Sequence, residues 1–178
     1  MSDLWLPPDQ DPRFQSGPAY GEQAVVRSYL THYRLTLELK LSDLDAEQLA
    51  RRSVPPSNLS LLGLLRHLAQ MEHHWSRRVL QGQNLPRLFK TEADPDHDFN
   101  GAVADPAVVA EAWAAWRAEA RAMDAWLDQE TDWGRLIADE DGTGYEVRDI
   151  IVHVVEEYAR HCGHADLLRE CIDGRAGQ

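Results

Sequence analysis

Apolar residues in this chain return at steps of three and four in four separate stretches, and nowhere do they alternate. In the first, Val25, Val26, Tyr29, Leu30, Tyr33, Leu37 and Leu41 mark one face of a helix over about 21–41. In the second, Leu61, Leu64, Leu65, Leu68, Met71, Trp75 and Val79 carry the stripe of a helix that runs to about Gln81, with Ser57, Asn58 or Ser60 as its cap. Asp105-Pro106, a cap followed by proline at the first helical position, opens a third helix over about 106–130, rich in alanine and holding Trp113, Trp116 and Trp126. A fourth runs from about Glu146 to Asp173, where Gly174 ends it. Rods of this length span ~30–40 Å. They predict an all-α fold, a four-helix bundle enclosing one core.

The remaining segments read as connections. Four of the nine prolines and Gly17 make residues 1–20 an irregular arm with Trp5 as an anchor. The segment SDLDAEQLARRS (42–53) predicts a short helix, stopped by Pro55-Pro56. Residues 82–104 form a long loop, of the kind that is often functional, and 131–144 a shorter one ending in DEDGTG. The bundle is thus expected over 21–174, with 175–178 as a tail. No strand pattern is recognisable.

Composition narrows the function. The 178 residues are 43% apolar and 27% charged, as in an ordinary soluble domain, and no apolar run reaches the ~20 residues of a membrane span. The N-terminal MSDLWLPPDQDPRF is expected not to be a secretory leader. The formal charge of −12 would repel a phosphate backbone, so neither nucleic acid nor an anionic membrane is expected as a partner. Cys162 and Cys171 point to opposite sides of the fourth helix and cannot bridge, which fits a reducing cytoplasm.

The eight histidines are the unusual feature: three fall within 67–74 and three within 153–164. On the fourth helix His153, Glu157, His161 and His164 share an arc about 80° wide that overlaps the apolar stripe. On the second, His67, Met71 and His74 lie within ~60°, with Gln70 beside them. Two such helices side by side bring His67 against Glu157 and His161, a His2Glu set with room for water or substrate, as in catalytic zinc sites. E-x-x-x-H also occurs in many helices without metal. The alternative is a hydrogen-bonded network in which Arg160 and Arg169 pair with Glu156, Glu157 or Glu170. His32, His73 and His97 need no functional role, and His73 reads as a surface residue. Cys162 reads as packing. The run DPDHDFNG (94–101) lacks the glycine and glutamate positions of a calcium loop and reads as solvated. Arg87 reads as solvated too, with an acidic substrate as its other use. The tryptophans of the third helix read as core or a dimer face.

The segments LSLLGLLRHLAQMEHHW (59–75) and HVVEEYARHCGHADLLRECIDG (153–174) resemble the DinB-like superfamily of four-helix metalloproteins, most of all its actinobacterial single-domain branch. The superfamily includes mycothiol-dependent maleylpyruvate isomerase and bacillithiol transferases. The resemblance implies a divalent metal, zinc or nickel, that holds and activates a low-molecular-weight thiol such as mycothiol. His67 matches its first metal ligand, and Glu157 and His161 its second and third, with glutamate at Glu157 as in the isomerase branch. His164 stands where many members have glutamine; it is a fourth ligand, a supporting donor or a substrate contact. His153 belongs below the ligands. The isomerase has a further C-terminal domain, whereas this chain ends at Gln178, so its substrate is not carried over. The family name derives from DNA damage induction and says nothing of DNA binding.

The expected activity is a metal- and thiol-dependent S-transferase or isomerase, with His164 or His74 moving a proton. The alternatives are a non-enzymatic metal-binding stress-response protein and a metal-dependent hydrolase. The resemblance also implies a homodimer.

Overall fold

Each long helix starts where a side chain or a glycine makes the start possible. The computed structural model describes residues 5–138 and 143–177. Helix α1, Glu22–Leu41, follows Gly21 at φ 82°, a conformation that favours glycine. Asp45 and Gln48 exchange the two bonds of a capping box at α2, Ala46–Ala50. Of the three candidate caps for α3, Leu61–Glu72, the structure uses Ser60, whose hydroxyl accepts from Gly63 N at 3.1 Å. The helix does not stop there. It widens into a π-helix over His73–Leu80.

A single turn, α4, follows at His97–Asn100, inside the expected 82–104 loop. Asp105 caps α5, Pro106–Leu127, with proline in its first turn. Helix α6, Val147–Asp173, opens with a capping box between Glu146 and Asp149 and closes at Gly174 in the left-handed conformation.

The four long helices share one core. Leu30 and Leu37 of α1, Leu61, Leu64, Leu65 and Leu68 of α3, Trp116 and Met123 of α5, and Ile150, Val154 and Leu168 of α6 are all at most 3% exposed. Helix α3 is buried on nearly every side, its polar Arg66, Gln70 and Glu72 included. It lies against both α5 and α6, while α1 lies mainly along α6. No described helix is long and apolar enough to cross a membrane.

The arm is tied down at Trp5, as expected. Its indole is 7% exposed, and Lys40, Arg169 and Arg175 stand 4.3, 5.1 and 3.9 Å from its ring. Three expectations need correction. Strands β1, Leu136–Ala138, and β2, Gly144–Glu146, pair antiparallel in the stretch expected to be a loop. Three residues are too few to show alternation, so this ribbon leaves no pattern to read. Of the DEDGTG run, 139–142 lie outside the described residues. The loop over 82–104 is interrupted by α4, whose one turn is too short for periodicity. The third correction, at His73, belongs with the site.

Candidate metal centre

His67 sits one turn and a half into α3. Glu157 and His161 sit one turn apart on α6, a spacing that places both on one face. Packing α3 on α6 closes the gap between them. Glu157 Oε2 lies 3.5 Å from His67 Nε2 and 3.4 Å from His161 Nε2. The three donor atoms all lie within 4.8 Å of one another, and the imidazole rings are 4.7 Å apart at 64°. The other carboxylate oxygen, Oε1, accepts from Arg160 Nη1 at 3.1 Å. One oxygen of Glu157 is thus paired and the other is left to face the histidines.

The far edges of the imidazoles fix which nitrogen faces inward. His67 Nδ1 donates to Asp98 Oδ2 at 2.9 Å. Asp98 is fully buried; burial opposes its charge, but the His67 bond and Lys90 (Nζ at 3.4 Å) outweigh it and hold its carboxyl below the usual range. An ionised carboxylate only accepts, so Nδ1 carries a proton, and in the neutral ring Nε2 then presents a bare lone pair. That Nε2 is shielded from water and has no hydrogen-bond partner. It faces a carboxylate oxygen at 3.5 Å, acceptor against acceptor, which is unfavourable unless a proton or a cation stands between them. His161 completes the set. Burial, and then His67 beside it, push its imidazole down to about 4 against the pull of Glu157, so the ring is neutral at pH 7. Its Nδ1 lies 3.2 Å from His164 Nδ1. Two imidazoles and a carboxylate, each with only about a tenth of the side chain exposed, suit a divalent cation with positions left open.

Asp98 was not legible in the sequence. It belongs to the run read as solvated, yet α4 carries it inward. Arg66 of α3 holds that turn, donating Nε to Asp98 O at 2.9 Å and Nη2 to His97 O at 3.1 Å. Phe99 then stacks on His67, ring centres 4.9 Å apart. Gly63 permits the approach, because a Cβ there would meet Phe99 Cδ1 at 3.1 Å. The sole local hint was a phenylalanine amid polar residues.

The remaining histidines separate. His153 Nε2 lies 4.0 Å from Glu157 Oε1 and its ring meets Trp75 edge-on. His74 turns to Trp75 as well, at 5.0 Å, and does not join the triad. Burial first, then Arg78, Arg87 and other nearby cations, hold His74 below the usual histidine range. His73, expected at the surface, is 4% exposed; its Nε2 donates to Pro86 O at 2.9 Å. The side of the helix it occupies is covered: the following loop folds back over it at Pro86, and Glu119 of α5 stands 3.4 Å from its Nδ1. Gln70 holds the same loop, its Oε1 accepting from Leu88 N and Phe89 N at 2.8 and 3.1 Å. Cys162 is buried with its thiol pushed up to about 12 by desolvation, which fits packing rather than reactivity.

A sequence profile described as mycothiol-S-transferase matches residues 25–174. The chain belongs to the mycothiol-S-transferase family. The DinB-like resemblance and the mostly helical fold agree with that membership. Among solved structures, a conserved protein from Enterococcus faecalis superposes with a TM-score of 0.62 at 15% identity, covering 88% of this chain and 100% of that one. That likeness concerns the fold alone. No curated protein matches.

Proposed function

We propose that this chain is a divalent-metal-dependent S-transferase that joins a low-molecular-weight thiol of the mycothiol type to an electrophile. His67, Glu157 and His161 would hold the cation, and zinc or nickel suits this donor set. The observation that carries the reading is the orphaned lone pair of His67 Nε2 opposite Glu157 Oε2. Family membership supplies the thiol.

When bound, the cation supplies acidity, lowering the pKa of a coordinated thiol so that thiolate is available near pH 7. The chain does the rest by positioning. Asp98 fixes the tautomer of His67. Arg160 occupies one oxygen of Glu157 and leaves the other free. With a cation on His161 Nε2, His161 Nδ1 would carry the proton and donate to His164 Nδ1, 3.2 Å away; this contact supports a positioning role for His164 more directly than proton transfer. His74 stands on the Trp75 side and is assigned no step. In the overall reaction a sulfur–carbon bond forms as the bond from that carbon to its leaving group breaks. The leaving group takes the bonding pair, and the thiol proton goes to water.

Elemental analysis of untagged protein, with His161→Ala beside it, tests the site. Near-stoichiometric metal in the parent and little in the variant is expected; equal content in both overturns the assignment. Cobalt-loaded protein should gain a sulfur-to-metal charge-transfer band on adding mycothiol. Absence of that band with any cellular thiol overturns the transferase reading and leaves a metal site of another use.

A further inference from the structure

One side of the second long helix is committed to a single segment of chain. Arg66, His67, Gln70 and His73 all hold residues 86–99, and at this spacing they fall on one side of the helix. His73 donates Nε2 to Pro86 O at 2.9 Å. Gln70, only 3% exposed, accepts at Oε1 from Leu88 N and Phe89 N. The Arg66 guanidinium lies 4.1 Å from the Phe89 ring centre and donates to the carbonyls of His97 and Asp98. His67 takes the far end, through Asp98 and Phe99. Lys90 Nζ, 3.4 Å from Asp98 Oδ2, ties the two ends of the segment to each other.

Of these four side chains, His67 alone also belongs to the triad. The segment has little apolar hold of its own. Phe89 and Phe99 pack on the core, while most of 91–97 is exposed. A segment with so little apolar burial depends on its polar ties and opens locally at low cost when one is lost. Lifting it takes Asp98 away from His67 Nδ1 and Phe99 away from the ring face, which leaves the imidazole free to turn.

We propose that residues 86–99 are a strap that positions His67 for its ligand, and that Gln70 is a positioning residue acting through this strap. The path runs from Gln70 to Phe89, from there through Arg66 and Lys90 to Asp98, and from Asp98 to His67 Nδ1. It is reciprocal: a cation that binds His67 more tightly with the strap in place also holds the strap in place. The proposal rests on the metal-centre reading for its use, but not for the hold of the strap on His67.

The first test uses metal-free protein at one fixed pH. The Nδ1–H of His67, held by Asp98, gives a downfield proton resonance that His67→Gln identifies by removing it. Its exchange with water reports how often Asp98 lets go. In the parent this rate should not respond to low denaturant, because a local opening exposes little surface. A rate that follows global unfolding makes the role of the strap merely structural and overturns the proposal. Gln70→Met keeps the volume and removes the acceptor; it should speed the exchange about tenfold, the loss of two hydrogen bonds. Gln70→Glu, which keeps an acceptor there, should return it toward the parent rate. An unchanged rate in Gln70→Met overturns the proposal. Should that variant fail to fold, Lys90→Gln, at a side chain 26% exposed, decides in its place, with about a threefold rise expected and none overturning the path.

Zinc, in competition with a chromophoric chelator, reads the coupling. Gln70→Met should weaken zinc about fivefold and add nothing further to Asp98→Asn in the double variant, since both act through one bond. Additive losses overturn the path. Zinc should in turn slow exchange of the Leu88 and Phe89 amides about tenfold in the parent and not in His161→Ala; equal rates with and without bound zinc overturn the coupling. If the parent takes up no zinc, the metal-centre reading falls, and the ring-proton rates still decide whether the strap positions His67.

Discussion

Helices α3 and α6 carry two polar clusters, five residues apart on one helix and adjacent on the other, finished to different degrees. The first centres on Glu72 and Tyr158. Arg34 donates Nε and Nη2 to the two oxygens of Glu72 at 2.7 and 2.8 Å, and Nη1 to Asp124 at 2.7 Å. The Tyr158 hydroxyl donates to Glu72 at 2.8 Å and accepts from Trp116 Nε1 at 2.6 Å. Burial opposes the charge of Arg34, but Glu72 and its neighbours more than offset this and raise its pKa. Each of these groups has a partner of the right sign. The second cluster holds His67, Glu157 and His161, where the buried Nε2 of His67 has no hydrogen-bond partner and lies 3.5 Å from Glu157 Oε2. A complete buried network ties helices together. An incomplete one whose lone pairs converge fits a ligand from outside.

Variants can break this contrast. Glu72→Ala leaves the buried Arg34 with Asp124 as its remaining carboxylate partner and Tyr158 without its acceptor, and should cost about 3–5 kcal/mol in denaturant unfolding. If the cost is below that of His67→Ala in metal-free protein, the first cluster is not the structural one. Chelation acts on the second cluster alone. With free metal at a hundred times its Kd, binding stabilises by about 2.7 kcal/mol, so a chelator should lower the Tm of the parent and not that of His161→Ala. Asp98→Asn keeps the shape but removes the charge and offers an amide that can donate as well as accept, so the His67 tautomer is no longer fixed. It should weaken metal binding about 10–100-fold, read by competition with a chromophoric chelator. An unchanged affinity would remove Asp98 from the site. The smallest effect is expected for Tyr158→Phe, about 1–2 kcal/mol from one lost hydroxyl, with metal affinity unaltered despite its place beside Glu157.

Much of the fold was legible because helices announce themselves locally. The three- and four-residue steps located the four long helices, and Ser60, Asp105 and Gly174 end or begin them where capping chemistry requires. The β1–β2 ribbon was not legible, since its strands are too short to alternate. Nor was the π-helix, whose residues have no distinctive preference; and His73 lies inside because the loop at Pro86 and Glu119 of α5, both distant in sequence from its helix turn, cover it. At the site, the shared face of Glu157 and His161 followed from four-residue spacing. Asp98 did not follow from anything near it, because a one-turn helix in a polar loop looks like solvent-exposed chain.

The sequence by itself determined the helices, their caps, and which side chains share a face, since these depend on contacts within a turn or two. It also carried the family motifs on α3 and α6. Only the tertiary structure decided that His67 meets Glu157, that Asp98 reaches back 31 residues to hold His67, and that Trp75 comes to stand beside His153. Those meetings depend on how whole helices register against one another. That register is set by the summed packing of the core, so no single segment encodes it.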